Sequence, residues 1–201
     1  MSSLPADTPS RILDVAEGLV QTRGFNAFSY ADIAAALRIT KASLHYHFPT
    51  KSKLGERLIE RYRLGFQSAL DQIDADTGNA AAKLQAYADI YVDVLTRDRM
   101  CLCGMLAADY ATLSEPMRDE VRRFFEANEA WLLGVLRLGR ERGELVFEGP
   151  PLEMARLVVA TLEGAMLLAR AQGKPAWLRG AASRMLAGLG VRAPAPQPVS
   201  D

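Results

Sequence analysis

Two short helical segments between Ser29 and Leu54 lie only three residues apart, and that compression most limits what this chain can fold into. Ser29 followed by Asp32 is a capping-box start for a helix over Tyr30–Leu37. Thr40 caps a second helix, Lys41–His47, which Phe48 and Pro49 end. Ile33, Ala34, Leu37, Leu44 and Phe48 supply a shared apolar surface, so the first helix braces the second. A helix is about 10–12 Å across and the major groove of B-DNA about 12 Å wide. The expected layout is therefore a helix-turn-helix whose second helix meets base edges.

Helical periodicity runs through the rest of the chain. Ser10 or Thr8 is the expected cap of a first helix that reaches Thr22–Arg23 and stops at Gly24. Thr50 opens a long fourth helix to about Ile73, and the turn-rich Asp74–Asn79 follows. Further helices are predicted over Ala80–Thr96, Met100–Thr112, Ser114–Arg142, Leu152–Gln172 and Pro175–Leu189. The expected class is all-α with about nine helices. A helix-turn-helix DNA-binding domain occupies residues 1–50, and a C-terminal helical ligand-binding and dimerisation domain occupies 51–190. A proline-rich tail, 191–201, is expected to be disordered, and residues 1–8 read as a flexible leader.

Charge sharpens the assignment. Lys plus Arg equals Asp plus Glu at 24 each, so a chain that grips nucleic acid must concentrate its positive charge. Arg38 to Arg63 holds seven basic residues (Arg38, Lys41, Lys51, Lys53, Arg57, Arg61, Arg63) against Glu56 and Glu60, leaving the remainder acidic. No run approaches the roughly 18–20 apolar residues of a membrane span, and no basic leader precedes an apolar segment. Cys101 and Cys103 are the two cysteines, too few for a disulfide framework. A reducing, cytoplasmic setting without membrane attachment is expected.

Gly24–Phe25, then Ser29 with Asp32, Ile33 and Ala34, then Thr40, Lys41, Ser43, Leu44, Tyr46, His47, Phe48, Lys51 and Leu54, resemble the TetR/AcrR family of bacterial one-component regulators. The resemblance implies a homodimer with paired DNA-binding domains on double-stranded operator DNA, repressing a neighbouring operon until a small molecule binds. It implies base-edge contacts from Lys41, Ala42, Ser43 and His45. Tyr46, Lys51, Ser29 and Tyr30 are expected on the DNA backbone, while Thr40 serves as a cap or a contact. Lys41 suits guanine O6/N7, Ala42 a thymine methyl, and Lys51 with the fourth helix's N-terminal amides a phosphate. His47 is read as structural. The inter-helix turn usually carries glycine in this family. Here Arg38 stands there, at a cost of about 1 kcal/mol for a left-handed backbone.

The C-terminal half offers chemistry without motifs. Tyr62, Phe66, Tyr87, Tyr91, Cys101, Cys103, Met105, Asp109, Tyr110, Phe124, Phe125 and Trp131 are candidates for lining an apolar effector pocket. A thiolate at Cys101 or Cys103 offers electrophile sensing as a further possibility, with ordinary core packing the stronger reading. Zinc at the cysteines is not expected, because His45 and His47 lie in the DNA-reading segment. No cofactor or metal is implied. Leu157, Thr161, Leu162, Ala165, Leu168, Leu178 and Met185 lie on helices apolar nearly all round and are assigned to a dimer interface. Phosphate loops, nucleophile elbows and metalloprotease signatures are missing, so an enzyme is not expected. Two alternatives stay open: an activator or global regulator with the same DNA grip, and a helical small-molecule binder without DNA-binding activity.

Overall fold

A computed structural model describes residues 7–190. Among the described residues nine α-helices and two 3₁₀ turns form, and no strand. They are α1 (Thr8–Arg23), α2 (Tyr30–Leu37), α3 (Lys41–His47), α4 (Lys51–Asp76), α5 (Ala80–Thr96), α6 (Leu102–Ala108), α7 (Glu115–Glu141), α8 (Pro151–Ala171) and α9 (Ala176–Gly188). The 3₁₀ turns are Phe25–Ala27 and Tyr110–Thr112. The proline-rich tail and the first six residues lie outside the described residues.

Small differences from expectation have local causes. Asp7, rather than Ser10 or Thr8, caps α1: its carboxylate accepts from the Ser10 amide at 3.1 Å. Helix α4 runs through Asp74 to Asp76, so Gly78 and Asn79 carry the break. The segment expected as one helix from Met100 to Thr112 is the short α6 plus a 3₁₀ turn.

Packing groups the chain into two compact units that do not follow a single cut at residue 50. Of the described residues, one contains 7–69 together with 94–127, and the other contains 70–93 and 128–190. In the first, Ile12, Ala16, Val20, Ile33, Leu44, Leu54 and Leu58 are buried between α1, α2, α3 and α4. Each of these Ile, Val and Leu side chains contributes on the order of 1.5–3 kcal/mol when removed from water. Gly55 lets α4 approach α7 closely, since a Cβ there would meet Met117 Cε at 2.5 Å. In the second, α8 and α9 form an antiparallel hairpin sealed by Leu162, Met166, Ala169, Leu178, Ala182 and Leu186, all buried.

That sealing corrects part of the interface assignment. Leu162 on α8 and Leu178 on α9 are fully buried within the monomer, so they hold the two helices together and cannot meet another subunit. Leu157 and Leu168, at 53% and 58% exposed, lie on the opposite side of α8. Thr161, Ala165 and Met185 are half-buried.

Candidate nucleic-acid interface

The turn between α2 and α3 forms as the sequence demands, with Arg38 at φ 56° and ψ 43°. The Ile39 amide bonds the Ala34 carbonyl at 3.1 Å and the Arg38 amide bonds that of Ala35 at 3.3 Å. These two bonds satisfy the last carbonyls of α2 in the manner of a glycine-ended helix, although no glycine is present. Ile39, half-buried, adds apolar contact. Thr40 then caps α3 by accepting from the Ser43 amide at 3.1 Å.

Helix α3 divides cleanly. Leu44 points inward with no exposure and Phe48 follows it into the core. Lys41, Ala42, His45 and Tyr46 face outward, as spacings of three, four and five residues on a helix require, and Ser43 is half-buried. Tyr46 is 84% exposed, the most exposed large apolar side chain of the described residues. His45 stacks obliquely on Tyr30, with ring centroids 4.8 Å apart, and its Nδ1 lies 3.1 Å from the Pro49 carbonyl. His45 is thus held on one side by Tyr30 and the Pro49 carbonyl while its other side stays exposed; His47 is half-buried, with its ring against that of Tyr46 at 5.1 Å.

Three expected DNA contacts have structural duties. Tyr30 is buried, and its hydroxyl donates to the Phe48 carbonyl at 2.7 Å, tying α2 to the end of α3. Burial pushes the Tyr30 hydroxyl pKa up to about 12. Its phenol is therefore a brace behind the interface, which corrects its assignment to the DNA backbone. Lys51 donates to the carbonyls of Phe25, at 2.6 Å, and Phe28, and its ammonium lies 4.7 and 4.2 Å from those ring centroids. Burial holds its pKa below the usual lysine value, against the opposing charges of Asp109 and Asp32. The ammonium expected on a phosphate is thus committed to two carbonyls. Ser29 gives both its hydroxyl and its amide to Asp32 at 2.7 Å, and those bonds hold the Asp32 carboxyl below its usual pKa.

The basic stretch is less positive than its sequence count. Lys53 pairs with Glu56, Arg57 with Glu60, Arg61 with Asp14 and Glu17, and Arg63 with Glu120, all within 3.1 Å. Arg38 and Lys41 pair with no acid among the described residues, so the uncompensated charge sits on the helix-turn-helix itself. A cleft of about 470 Å³ opens there, lined by Phe28, Ser29, Tyr30, Ala31, Lys41, His45 and Lys51.

The expected effector residues separate into groups. In the first unit Tyr62, Phe66 and Phe124 pack with centroids 5.1–6.4 Å apart, with Phe125 on Phe124. Cys101 and Cys103 are buried beside them, and the Tyr62 hydroxyl lies 4.0 Å from Cys101 Sγ. Burial and the neighbouring thiols push the Tyr62 pKa well above its usual value. Met105, Asp109 and Tyr110 leave the pocket assignment. Asp109 accepts from the Phe25 amide at 3.1 Å, and Met105 is within van der Waals reach of the Gly24 position. Tyr110 is exposed under the Arg118 guanidinium, 5.1 Å away. The Asn26 amide also donates to the Thr112 hydroxyl at 2.9 Å, fastening the turn after α1 to the turn after α6.

In the second unit Tyr87 is buried, its hydroxyl bonded to Asn128 at 2.9 Å and within 3.2 Å of that of Tyr91. Trp131 stacks on Tyr87 at 5.6 Å. Of the expected effector residues, Trp131 borders the cavity of about 310 Å³ in this unit, together with Gly134, Val135, Leu138 and Arg142. Those four were missed in sequence; the unexplained glycine within α7 is the signal that marks them. Among the described residues no helix is long and apolar enough to cross a membrane, and no cluster of His, Cys, Asp or Glu suits a metal ion.

A capped, tightly turned helix pair that presents a charged, aromatic-tipped face defines a helix-turn-helix DNA-binding protein. Residues 12–58 match the family described as bacterial regulatory proteins, tetR family, and residues 80–185 match the tetracyclin repressor-like C-terminal domain. The chain belongs to the TetR family of transcriptional regulators. It is similar to a TetR-family regulator from Agrobacterium tumefaciens, with TM-score 0.87 and 33% identity over 90% of this chain and 96% of that one. It is 27% identical to the HTH-type transcriptional repressor NemR of Escherichia coli K12 over 168 residues, 82% of this chain and 84% of that protein. The reduced form of E. coli NemR superposes with TM-score 0.80, covering 94% of this chain and all of that one.

Proposed function

We propose that this chain is a dimeric transcriptional repressor that holds a palindromic operator through α3 and releases it when a small, apolar-bodied effector binds the helical C-terminal region. The observation that carries this reading is the solvent-facing set Lys41, Ala42, His45 and Tyr46. A tyrosine left 84% exposed, with only the His47 ring against it, on the same short helix as an uncompensated lysine, serves no core of the monomer. Lys41 donates to guanine O6/N7, Ala42 meets a thymine methyl, and Ser43 and His45 reach base edges from the same face. Tyr46 and the N-terminal amides of α2 hold phosphates.

Dimerisation uses the outer side of α8, where Leu157 and Leu168 stand in water with Thr161 and Ala165 beside them, and Met185 on α9. A two-fold axis then sets the α3 helices one DNA turn apart, facing two half-sites. Release follows from any effector that binds better to a form with a different α3 spacing, by its difference in affinity for the two forms. The Asp109–Phe25 and Asn26–Thr112 bonds are the route from α6 to the helix-turn-helix. Burial of both thiols favours packing at Cys101 and Cys103, and an effector that need not react with them.

A salt series on DNA from the gene's own upstream region tests this reading. Affinity should fall by roughly 10²-fold between 50 and 200 mM salt, as the uncompensated Arg38 and Lys41 charges of two subunits require. Weak, salt-insensitive binding contradicts it and favours a helical small-molecule binder.

A further inference from the structure

The cavity of about 310 Å³ in the second compact unit is at the small end of the roughly 300–1,000 Å³ range of small-molecule sites. Trp131, Val135 and Leu138 give it an apolar wall on α7. Two glycines on this helix differ in kind. Gly139 is forced, because a Cβ there would lie 2.5 Å from Ala80 Cβ and 2.7 Å from Leu145 Cδ1. Gly134 is not: a Cβ there meets nothing within 4 Å, although glycine within a helix of 27 residues weakens it relative to alanine. What Gly134 preserves is open space.

The charges around the opening differ in the same way. Asp74 accepts from the Lys83 ammonium and from the Trp131 indole N–H at 2.9 Å. Glu144 accepts from the Ala80 amide at the start of α5, at 2.6 Å. Arg142 pairs with no acid among the described residues, so one forked cation faces the opening with its donors free of any carboxylate.

We infer that this cavity binds a small carboxylate with an apolar, preferably aromatic, body, the body seated over Gly134 against Trp131 and the carboxylate on Arg142. As the seat of the effector it rests on the repressor reading; as a binding site it does not. Occupancy places ligand atoms where α4, α5 and the second half of α7 meet, so a ligand here stiffens this end of the unit against opening.

Calorimetric titration of the full-length protein with naphthoate, naphthylmethanol and naphthylmethylamine tests the inference. Naphthoate should bind about tenfold more tightly than the alcohol, and the amine most weakly. Gly134→Leu fills the open space and should weaken naphthoate by at least about thirtyfold while leaving the helical circular-dichroism signal intact. Arg142→Gln, at an exposed side chain that cannot threaten the fold, should bring naphthoate down to the level of the alcohol. No naphthoate binding, unchanged affinity in Gly134→Leu, or preference for the amine overturns the inference. Operator affinity is measured on the same preparations. Protein that binds its operator but not naphthoate refutes the site alone, and protein that binds naphthoate but no operator refutes the repressor reading alone.

Discussion

Helix α3 and helix α7 each carry a feature that packing of the fold does not account for, and the two are opposite in kind. On α3, Lys41 and Tyr46 are large groups raised above a packed base of Leu44 and Phe48. On α7, Gly134 is a missing group beside Trp131, and what matters is the space left behind. A protruding residue declares its chemistry by type and spacing. A cavity is a property of several helices together, so no single residue in it carries a signature.

The contrast makes predictions that separate exposed from braced residues. The largest effect is expected on the outer side of α8. Leu157→Glu with Leu168→Glu should weaken self-association by about a hundredfold or more and give monomers in sedimentation velocity. Leu162→Ala, between them in sequence but buried on the other side of α8, should instead cost about 2–5 kcal/mol in denaturant unfolding by leaving a cavity. If the two exposed leucines prove neutral, the division of α8 into core and interface sides fails.

Next in size is the Lys51 strut. Lys51→Met removes the donor from two carbonyls and should cost about 1–2 kcal/mol, whereas Lys53→Met breaks only an exposed pair with Glu56 and should change stability by less than about 0.5 kcal/mol. Equal effects would return Lys51 to the role of a surface contact. Gly134→Ala should raise stability by about 0.5–1 kcal/mol in the same assay, and a loss would show that α7 is packed closely there.

The smallest effect is a slope with pH. Tyr30 titrates near 12 in the fold and at 10.0 when unfolded, so the folded state holds its proton longer. Its contribution is complete below pH 10 and shrinks as pH climbs towards 12, because the unfolded chain ionises first. Tyr30→Phe should flatten that decline in urea unfolding between pH 10 and about 12.

Legibility follows the same division. The bounds of α2, α3 and α5 were readable because Ser29, Asp32, Thr40, Pro49 and Asn79 act locally, through caps and breakers. The left-handed place of Arg38 was readable from the family resemblance. The duties of Tyr30 and Lys51 were not, since both bond carbonyls more than 15 residues away in sequence. Asp109 looked like a polar group in an apolar pocket, and its partner is the Phe25 amide, 84 residues earlier. The aromatic residues of the C-terminal half shared one apolar signal, and only packing separates Tyr62 and Phe66 from Tyr87 and Tyr91. The seven-residue basic excess was legible as composition, but four of those residues are neutralised by acids near or far in sequence.

The account's central claim is that the outward side of α3 reads DNA. Fluorescence anisotropy on upstream DNA, comparing wild type with Lys41→Ala/Tyr46→Ala, tests it most directly. Loss of the Lys41 base contact and the Tyr46 phosphate contact should weaken binding by roughly 10²-fold, and loss of the Lys41 charge should shallow the salt dependence by about one unit per subunit, with folding unchanged. Wild-type affinity in the double variant would contradict the claim.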